Sequence, residues 1–281
     1  MTGKMRVDVA MVQRGLAESR EKAQAAIMAG EVYKNQTKVN KASETVMEND
    51  EIHLKSEKIP YVSRGALKLE KAVRVFQADL KGKTVVDVGA STGGFTEMCL
   101  LNGADCVYAV DVGYGQLDWK LRNDSRVTVM ERTNARYLTK EFFPVLPQIA
   151  VMDASFISIR LILPALFEIL GREGTIYTLI KPQFEAGKEK VGKKGVVRDA
   201  QTHIDVIRHI LDCVEMLGWS LCQLDYSPIT GPEGNIEFLA EIRPDPENNP
   251  PVTQDRIAAV VAEAHHELKG TAINHTSQGE E

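Results

Sequence analysis

Four charged side chains carry the acid–base chemistry that this sequence offers: Lys68, Asp153, Lys181 and Glu237. A free lysine, with a reference pKa of about 10.4, is mostly protonated at neutral pH and is no base. Burial and a neighbouring cation both favour the neutral amine. If the fold brings the two lysines together, we predict that Lys181 acts as a general base, with Asp153 orienting it. Lys68 and Glu237 would position the group that loses its proton.

These four residues are far apart in the chain, so only the fold can bring them together. From residue 63 onward, apolar runs of strand character alternate with helical segments, which predicts an α/β fold with a mainly parallel sheet and helices on both faces. The predicted strands are 83–89, 106–113, 126–131, 148–153, 175–181, 219–227 and 235–242. The main predicted helices are 63–76, 95–103, 160–170 and 200–218.

The last two strands break this alternation. Only PITGPEG (228–234) separates them. This segment is too short for a helical crossover, which needs about a dozen residues. The seventh strand is therefore predicted to run antiparallel to the sixth.

The predicted topology brings the four charged residues to one edge of the sheet. Ligands of open α/β sheets bind beyond the carboxyl ends of the strands. Asp153 and Lys181 end two parallel strands, and Glu237 lies near the start of the reversed strand. Lys68 lies in the first turns of the helix that precedes the first strand. All four are therefore expected in one crevice.

The segment DVGASTGGF (87–95) follows the first predicted strand and favours a ligand that approaches the backbone and a helix N-terminus. It is not the dinucleotide fingerprint, because Ser91 occupies the second glycine position. Asp87 suits a ligand with an ammonium group, and Asp111 suits a pair of ribose hydroxyls. These features together with the reversed strand predict S-adenosyl-L-methionine as the cofactor.

The predicted cofactor contacts all lie at this strand edge. Tight helix–sheet packing is the alternative explanation for the small residues; it accounts for Gly93 and Gly94 but for neither aspartate. The contacts are Asp87, Gly89, Ser91, Gly93, Gly94, Phe95, Asp111, Asn134 and Asp153.

The chain is predicted to contain four parts. Residues 1–58 form a small α+β module with helices at 6–15 and 19–30 followed by short strands, and residues 59–63 form a linker. Residues 64–243 form the α/β domain. Residues 244–281 contain a Pro-rich spacer, one amphipathic helix (253–270) and a polar end that we predict to be disordered.

The distribution of charge is compatible with a nucleic-acid partner, although the net charge is −5. Residues 244–281 contain 2 Lys and Arg against 7 Asp and Glu, whereas residues 1–65 contain 11 against 9. Basic side chains bind the phosphates of RNA. The alternative is an ordinary solvated surface or, for 187–198, a disordered surface loop. The predicted RNA contacts are Arg6, Arg14, Arg20, Lys22, Lys34, Lys38, Arg64, Lys188, Lys190, Lys193 and Lys194.

The four charged residues match, position by position, the Lys-Asp-Lys-Glu tetrad of the FtsJ-like ribosomal RNA 2′-O-methyltransferases. The chain most resembles the TlyA branch of that family, often labelled hemolysin A, and residues 6–55 resemble the RNA-binding domain of ribosomal protein S-four. Ser91-Thr92 differs from the Ala-Pro that is common in the wider family. The phrases that carry the resemblance are SRGALKLEKA, VDVGASTGGFT, MDASFIS, LIKPQFEAG, VGKKGVVRD and GNIEF.

The resemblance implies a Rossmann-like methyltransferase sheet of seven strands, the last antiparallel, preceded by a small RNA-binding domain. It implies methyl transfer from S-adenosyl-L-methionine to the 2′-hydroxyl of cytidine in ribosomal RNA or ribosomal subunits, without a metal. Lys181 would take the hydroxyl proton.

Four cysteines without a CxxC pair indicate free thiols in a reducing cytoplasm.

Three other functions remain open at this point. A membrane-active hemolysin is disfavoured because no apolar run approaches the roughly 18 residues of a membrane span. A small-molecule methyltransferase is disfavoured by the N-terminal module and the basic segment 187–198. An RNA-binding protein without methyltransferase activity is disfavoured by the intact tetrad.

Overall fold

The structure is a computed structural model that describes residues 4–28, 30–34, 37–47, 50, 52–54, 60–192 and 195–273, with no description of the side chains of 37, 38, 53 and 269–273. The chain divides into two compact units, Met1–Pro60 and Tyr61–Glu281. Each unit has its own hydrophobic core.

The N-terminal unit contains two helices and short antiparallel strands. Two residues after the last residue of each helix stands a glycine, Gly15 or Gly30, whose φ angle of 72° or 73° lies in the left-handed region that favours glycine. Ser19 caps the second helix, because its Oγ accepts a bond from the amide of Lys22 at 3.3 Å. The elements are β1 (Met5–Arg6), α1 (Val7–Gln13), α2 (Arg20–Met28), β2 (Val32–Lys34), β3 (Thr37–Lys38), β4 (Thr45–Val46) and β5 (Ile52–Leu54).

These strands form two small sheets among the described residues. β2 pairs with β3 and β5, and β1 pairs with β4. Val7 and Met11 of α1 pack with Ala23 and Ile27 of α2 in the core of this unit. The predicted helices are confirmed. Strand β1 was not predicted, because two residues are too few for a periodic pattern.

Seven strands form one sheet within the described part of the C-terminal unit, and the fold class predicted from the sequence is confirmed. The order is β11-β12-β10-β9-β6-β7-β8. Thr178 of β10 lies opposite Met152 of β9 in parallel pairing and opposite Ala240 of β12 in antiparallel pairing. β12 is the reversed strand. The strands are β6 (Thr84–Val88), β7 (Cys106–Val110), β8 (Val127–Met130), β9 (Ile149–Met152), β10 (Thr175–Ile180), β11 (Trp219–Tyr226) and β12 (Phe238–Pro244).

Helices cover both faces of this sheet. One face packs against α3, α4 and α5, and the other against α6, α8 and α9. The α-helices are α3 (Gly65–Phe76), α4 (Gly94–Leu101), α5 (Trp119–Arg122), α6 (Leu163–Leu170), α7 (Pro182–Glu185), α8 (Ala200–Met216) and α9 (Gln254–Ile273). Short 3-10 helices lie at Ala135–Tyr137, Lys140–Phe142, Ile159–Leu161, Gly171–Glu173 and Lys188–Lys190.

Helix α9 packs on the sheet, although the sequence analysis grouped it with the tail. Ile257, Val260, Val261 and Ala264 recur at helical spacing on one side of α9, and each is at most 1% exposed. This apolar side contributes to the same core as α6 and α8. The helix is therefore part of the C-terminal compact unit.

Three further features bear on function. Cys99, Cys106, Cys213 and Cys222 are free thiols. No cluster of three or more potential metal ligands occurs in the part of the chain that the structure describes. Among those residues, there is also no helix with the length and apolar character needed to cross a bilayer.

Candidate active site

The structure brings Lys68, Asp153 and Glu237 together at the predicted edge of the sheet. Lys68 Nζ lies 2.7 Å from Glu237 Oε2 and 3.3 Å from Asp153 Oδ2. Lys68 projects from the first turn of α3, Asp153 follows β9, and Glu237 immediately precedes the reversed strand β12. The reversal of β12 is what brings Glu237 to the edge at which the parallel strands end.

Lys181 completes the group. It follows the last residue of β10, and its Nζ lies 2.6 Å from Asp153 Oδ1. That ion pair lacks hydrogen-bond geometry. The ammonium instead donates to Ser155 Oγ at 2.7 Å and to the main-chain oxygen of Asp153 at 3.4 Å. The two oxygens of Asp153 are thus shared between the two lysines.

The environment of Lys68 keeps it positively charged. Burial by itself lowers the pKa of this lysine, but the carboxylates of Asp153 and Glu237 outweigh that effect and raise the pKa above its ordinary value. Lys68 therefore remains protonated and positively charged within this group of four residues.

A cavity of about 370 Å³, here called cavity 1, lies beyond the ends of β6 and β7. Asp111, which follows β7, lies in its wall. The amides of Ser91 and Gly113 bind the two oxygens of the Asp111 carboxylate at 2.8 and 2.7 Å and fix its orientation. Asn134 and Asp153 also line this cavity. A fixed carboxylate at the end of the second strand can accept bonds from ribose hydroxyls.

Two glycines of the glycine-rich loop lie very close to the backbone of neighbouring segments. A Cβ atom at Gly89 would lie 2.9 Å from the main-chain oxygen of Asp153, and Gly89 has a φ of +83°. A Cβ atom at Gly94 would lie 2.8 Å from the amide nitrogen of Ala66 in α3. Gly93 has a φ of +99°, and Phe95 is buried in the core below the loop. Gly89 therefore lets the loop pass beside Asp153, whereas Gly94 allows α4 to contact α3.

Asp87 lies below this loop, fully buried, and lines neither cavity 1 nor the neighbouring cavity 2. Its Oδ2 accepts a 2.6 Å bond from Thr96 Oγ1, whereas Oδ1 has no hydrogen-bond partner among the described residues. Burial raises the pKa of Asp87 to about 7. A buried carboxylate oxygen without a hydrogen-bond partner can accept a hydrogen bond from an ammonium group. Its contact with a cofactor stays a prediction.

A second cavity of about 390 Å³, cavity 2, adjoins the first, and Lys68 lies in its wall. Gly89, Ser91 and Asp153 line both cavities. Asp153 therefore lies at the junction of two cavities, in contact with both lysines. Lys181 and Glu237 lie behind this junction, 7% and 2% exposed.

Three residues near the tetrad were not predicted as functional from the sequence: Ser155, Phe156 and Glu185. Ser155 binds Lys181, and Phe156 is 91% exposed with a φ of 63°, its ring 5.2 Å from that of Phe184. Glu185 accepts bonds from the hydroxyl of Ser158 (2.6 Å) and from a neighbouring amide (2.7 Å). All three lie in the phrases MDASFIS and LIKPQFEAG, which carried the resemblance and could have identified them.

Several predicted RNA contacts of the N-terminal unit also bind groups within that unit. Arg6 and Arg20 bind the buried carboxylate of Asp8 at 3.0 and 3.1 Å. Hydrogen bonds, from Arg6 above all, hold the pKa of Asp8 well below its usual range. Both arginines remain about half exposed. They stay predicted RNA contacts, although some of their N–H groups already donate to Asp8 and so stabilise the unit.

The remaining predicted RNA contacts are more varied. Arg14 binds main-chain oxygens of residues 47 and 50, Lys22 pairs with Glu18, and Lys34 donates to the main-chain oxygen of residue 45. Lys190 pairs with Asp205 at 3.3 Å. Arg64 and Lys188 are exposed. The side chain of Lys38 and all of Lys193 and Lys194 lie outside the described residues.

The reversed seventh strand, the small-residue loop and the carboxylate after the second strand define the class of S-adenosylmethionine-dependent methyltransferases. Residues 61–243 match the model of the FtsJ-like methyltransferases, and residues 5–52 match that of the S4 domain. The chain therefore belongs to the FtsJ-like methyltransferase family, and its methyl donor is S-adenosyl-L-methionine.

Individual relatives match over nearly the full length. The 16S/23S rRNA (cytidine-2′-O)-methyltransferase TlyA of Mycobacterium tuberculosis is 43% identical over 244 residues, which cover 86% of this chain and 91% of TlyA. Hemolysin A of Brachyspira hyodysenteriae is 43% identical over 237 residues, covering 84% and 98%. A solved structure from Streptococcus thermophilus is similar with a TM-score of 0.75 and 45% identity, covering 97% of this chain and 100% of that one.

Proposed function

We propose that this protein transfers a methyl group from S-adenosyl-L-methionine to the 2′-hydroxyl of a cytidine in ribosomal RNA. The observation that carries the proposal is the position of Asp153 at the junction of two cavities, where it contacts Lys68 and Lys181. A methyl donor in cavity 1 and a methyl acceptor in cavity 2 would meet beside these residues, which can accept or donate a proton.

Cavity 1 fits the cofactor. Asp111 and Asn134 would bind its ribose and base end, Ser91 and Gly89 would contact it through the loop, and Asp87 would face its ammonium from below. When bound, S-adenosyl-L-methionine supplies an electrophilic methyl group on a positively charged sulfur. The backbone at Gly89 passes close to the main-chain oxygen of Asp153, so the loop that would contact the cofactor also lies against this tetrad residue.

Lys181 is the residue that we assign as general base. Its Nζ lies 2.6 Å from the Asp153 carboxylate, which it shares with Lys68, and 2.7 Å from Ser155 Oγ. Asp153 holds the Lys181 amine towards the junction. In the complex with RNA, the 2′-hydroxyl would replace Ser155 as a partner of Lys181 and give up its proton to it.

Lys68 and Glu237 would position the acceptor rather than take its proton. Lys68 lines cavity 2 directly and would donate a hydrogen bond to the 2′-oxygen as negative charge develops there. Glu237 holds Lys68 at 2.7 Å, and its other oxygen lies 3.4 Å from Gln183 Nε2. Positioning of this kind lowers the barrier by fixing the reacting atoms in line.

The choice of RNA as acceptor rests on the rest of the chain. The S4 domain carries exposed basic side chains that can bind phosphates. The exposed ring of Phe156 at the wall of cavity 1 offers a surface on which an unpaired base can stack. The TlyA relative is named as a cytidine-2′-O-methyltransferase of 16S and 23S rRNA. With such a substrate, we expect the protein to act in the cytoplasm.

The test is transfer of radiolabelled methyl groups to ribosomal subunits isolated from a strain that lacks the gene, followed by mapping of the 2′-O-methyl positions. We expect label on cytidine and a loss of about 10²–10⁴-fold in rate for Lys181→Ala. Lys140→Ala, which removes an exposed lysine elsewhere, serves as the matched control. Near-normal turnover by Lys181→Ala would reject the assigned role, and label only on small molecules would reject RNA as the acceptor.

Membrane lysis is the second candidate, because the Brachyspira hyodysenteriae relative is named hemolysin A. Release of calcein from liposomes of bacterial and erythrocyte lipids by the purified protein is the direct measurement. We expect none above the level seen with an unrelated protein of the same charge. Release that increases with protein concentration would support this candidate over RNA methylation.

A further inference from the structure

A third cavity, of about 520 Å³, adjoins the acceptor cavity on the side away from the cofactor and is here called cavity 3. It shares Arg64, Ile229 and Thr230 with cavity 2. The rest of its wall comes from the segment 196–198, from the connection that precedes β12, including Ile236, and from Leu268 of α9. A ligand that fills cavity 2 and continues past Arg64 would enter cavity 3.

Two arginines give cavity 3 its charge. Arg64 and Arg198 are both exposed, and neither guanidinium has a hydrogen-bond or ion-pair partner in the part of the chain that the structure describes. Many other arginines of this unit are engaged; Arg122 and Arg243, for example, pair with Glu131 and Glu241. An unpaired guanidinium presents its full set of donors to a phosphate.

Part of the wall of cavity 3 is apolar. Val196, Val197 and Ile236 are 4%, 2% and 5% exposed, and they form a floor that is fixed in the protein core. Glu233 also lines the cavity, and its negative charge disfavours an anion beside it. An anion is therefore expected at the arginines and a flat apolar group on the floor.

The segment that carries Arg198 is anchored before any ligand arrives. The Asn235 side chain accepts a 3.0 Å bond from the amide of Val197 and donates a 2.9 Å bond to the main-chain oxygen of Gly195. His203 Nε2 lies 3.2 Å from the main-chain oxygen of Val197. Because Asn235 lies two residues before Glu237, the same segment positions the tetrad acid and the wall of cavity 3. A preorganised site loses less entropy when it binds.

We propose that cavity 3 binds the nucleotide next to the acceptor nucleotide in the same RNA strand. Arg64 and Arg198 bind the phosphate that joins the two nucleotides, and the floor of Val197 and Ile236 receives the base. This inference rests on the proposed function, because it takes cavity 2 as the site of the acceptor ribose. It adds a second nucleotide subsite, with Arg198 as a new RNA contact.

The test compares the full-length wild-type protein with Arg198→Gln in binding to ribosomal subunits from the deletion strain. Arg172→Gln is the matched control, because it removes an exposed arginine next to the start of β10, at the opposite end of the sheet. We expect Arg198→Gln to weaken binding about tenfold and to reduce the slope of log K against log salt by about 0.7–0.9, the value for one lost phosphate contact. The affinity for S-adenosyl-L-methionine, measured in parallel, is expected to match wild type and shows that the variant is folded.

Two outcomes separate this inference from the proposed function. If the wild type methylates RNA and Arg198→Gln binds it with the same affinity and salt slope as Arg172→Gln, cavity 3 is not a phosphate subsite, and the inference fails alone. If the wild type methylates no RNA, the proposed function fails first. A parallel loss in Arg64→Gln, with the salt slope reduced by a similar amount, supports the shared phosphate.

Discussion

The ammonium of Lys68 lies 2.7 Å from the carboxylate of Glu237, although 169 positions separate the two residues in the chain. The contact is buried, and it joins helix α3 to the start of the one reversed strand of the sheet. It therefore links the topology of the fold to the geometry of the candidate active site.

This pair is expected to contribute to stability as a unit. Removal of one partner leaves the other charge buried without its counter-ion, and this lowers the free energy of unfolding. In a double-mutant cycle of Lys68→Met and Glu237→Gln, we expect a coupling free energy of about 1–3 kcal/mol from denaturant unfolding. The same cycle with Lys140→Met in place of Lys68→Met is the control. A coupling within about 0.3 kcal/mol of zero would show that the two groups are independent.

Asp87 is expected to make stability depend on pH. Burial raises its pKa from 3.8 to about 7, so the folded protein binds this proton more tightly than the unfolded chain does. The resulting stabilisation is complete below pH 4 and is lost progressively as the pH rises to about 7. A pKa difference of about three units between the folded and unfolded states corresponds to at most about 4 kcal/mol in the free energy of unfolding.

The measurement is urea unfolding of wild type and Asp87→Asn between pH 4 and pH 8. The variant is expected to lose less stability than wild type over that interval, because asparagine keeps an acceptor for Thr96 and does not ionise. Asp105→Asn, at an exposed aspartate, is expected to follow wild type. Parallel curves for Asp87→Asn and wild type would mean that Asp87 ionises normally in the folded state.

Glu185 is expected to position Lys181 through the loop after β9. Its carboxylate binds Ser158 and the amide of Ile159, and so connects the segment that follows Lys181 to the one that contains Ser155. In Glu185→Ala the loop loses this connection, and we expect the turnover number to fall about 10–100-fold with little change in the KM for S-adenosyl-L-methionine.

Two variants control for this effect. Glu189→Gln removes an exposed carboxylate from the same segment and is expected to behave as wild type. Glu185→Gln keeps the acceptor for Ser158 and is expected to recover part of the rate. If Glu185→Ala changes only the melting temperature and leaves the turnover number intact, Glu185 has a purely structural role.

Gly94 is expected to tolerate no side chain. A Cβ atom there would lie 2.8 Å from the amide nitrogen of Ala66, so α3 and α4 would have to separate. We expect Gly94→Ala to lower the free energy of unfolding by about 1–3 kcal/mol and to reduce methyl transfer, because Lys68 lies on α3. Calorimetry and the methyl-transfer assay measure the two effects. A variant as stable and active as wild type would show that the helices can move apart freely.

Much of the fold could be predicted from local patterns. Apolar runs ending at Asp153 and Lys181 were enough to identify two parallel strands, and a seven-residue connection was enough to reverse the last strand, because no helix fits into it. Periodicity also identified α9 correctly but not its position: Ile257 and Val260 show an apolar side without showing what covers it.

Side-chain partners were harder to predict than strands. The basic residues Arg6 and Arg20 were identified as RNA contacts from charge alone, and the structure adds their bonds to the buried Asp8. Asp87 was predicted as a cofactor contact; the structure adds that it lies under the loop, in a strand that is buried over its whole length, and the contact itself stays a prediction. Such partners depend on neighbours that are distant in sequence, which a linear pattern does not contain.

By itself, the sequence determined the class of fold, the reversal of the seventh strand and the identity of four charged residues at strand or helix ends. Only the tertiary structure decided that Asp153 is shared by both lysines at the junction of two cavities, and that Arg64 and Arg198 line a third. The physical reason is the order of the strands: β10, β9 and β6 become neighbours through backbone pairing between distant segments, and that pairing sets which side chains share a cavity.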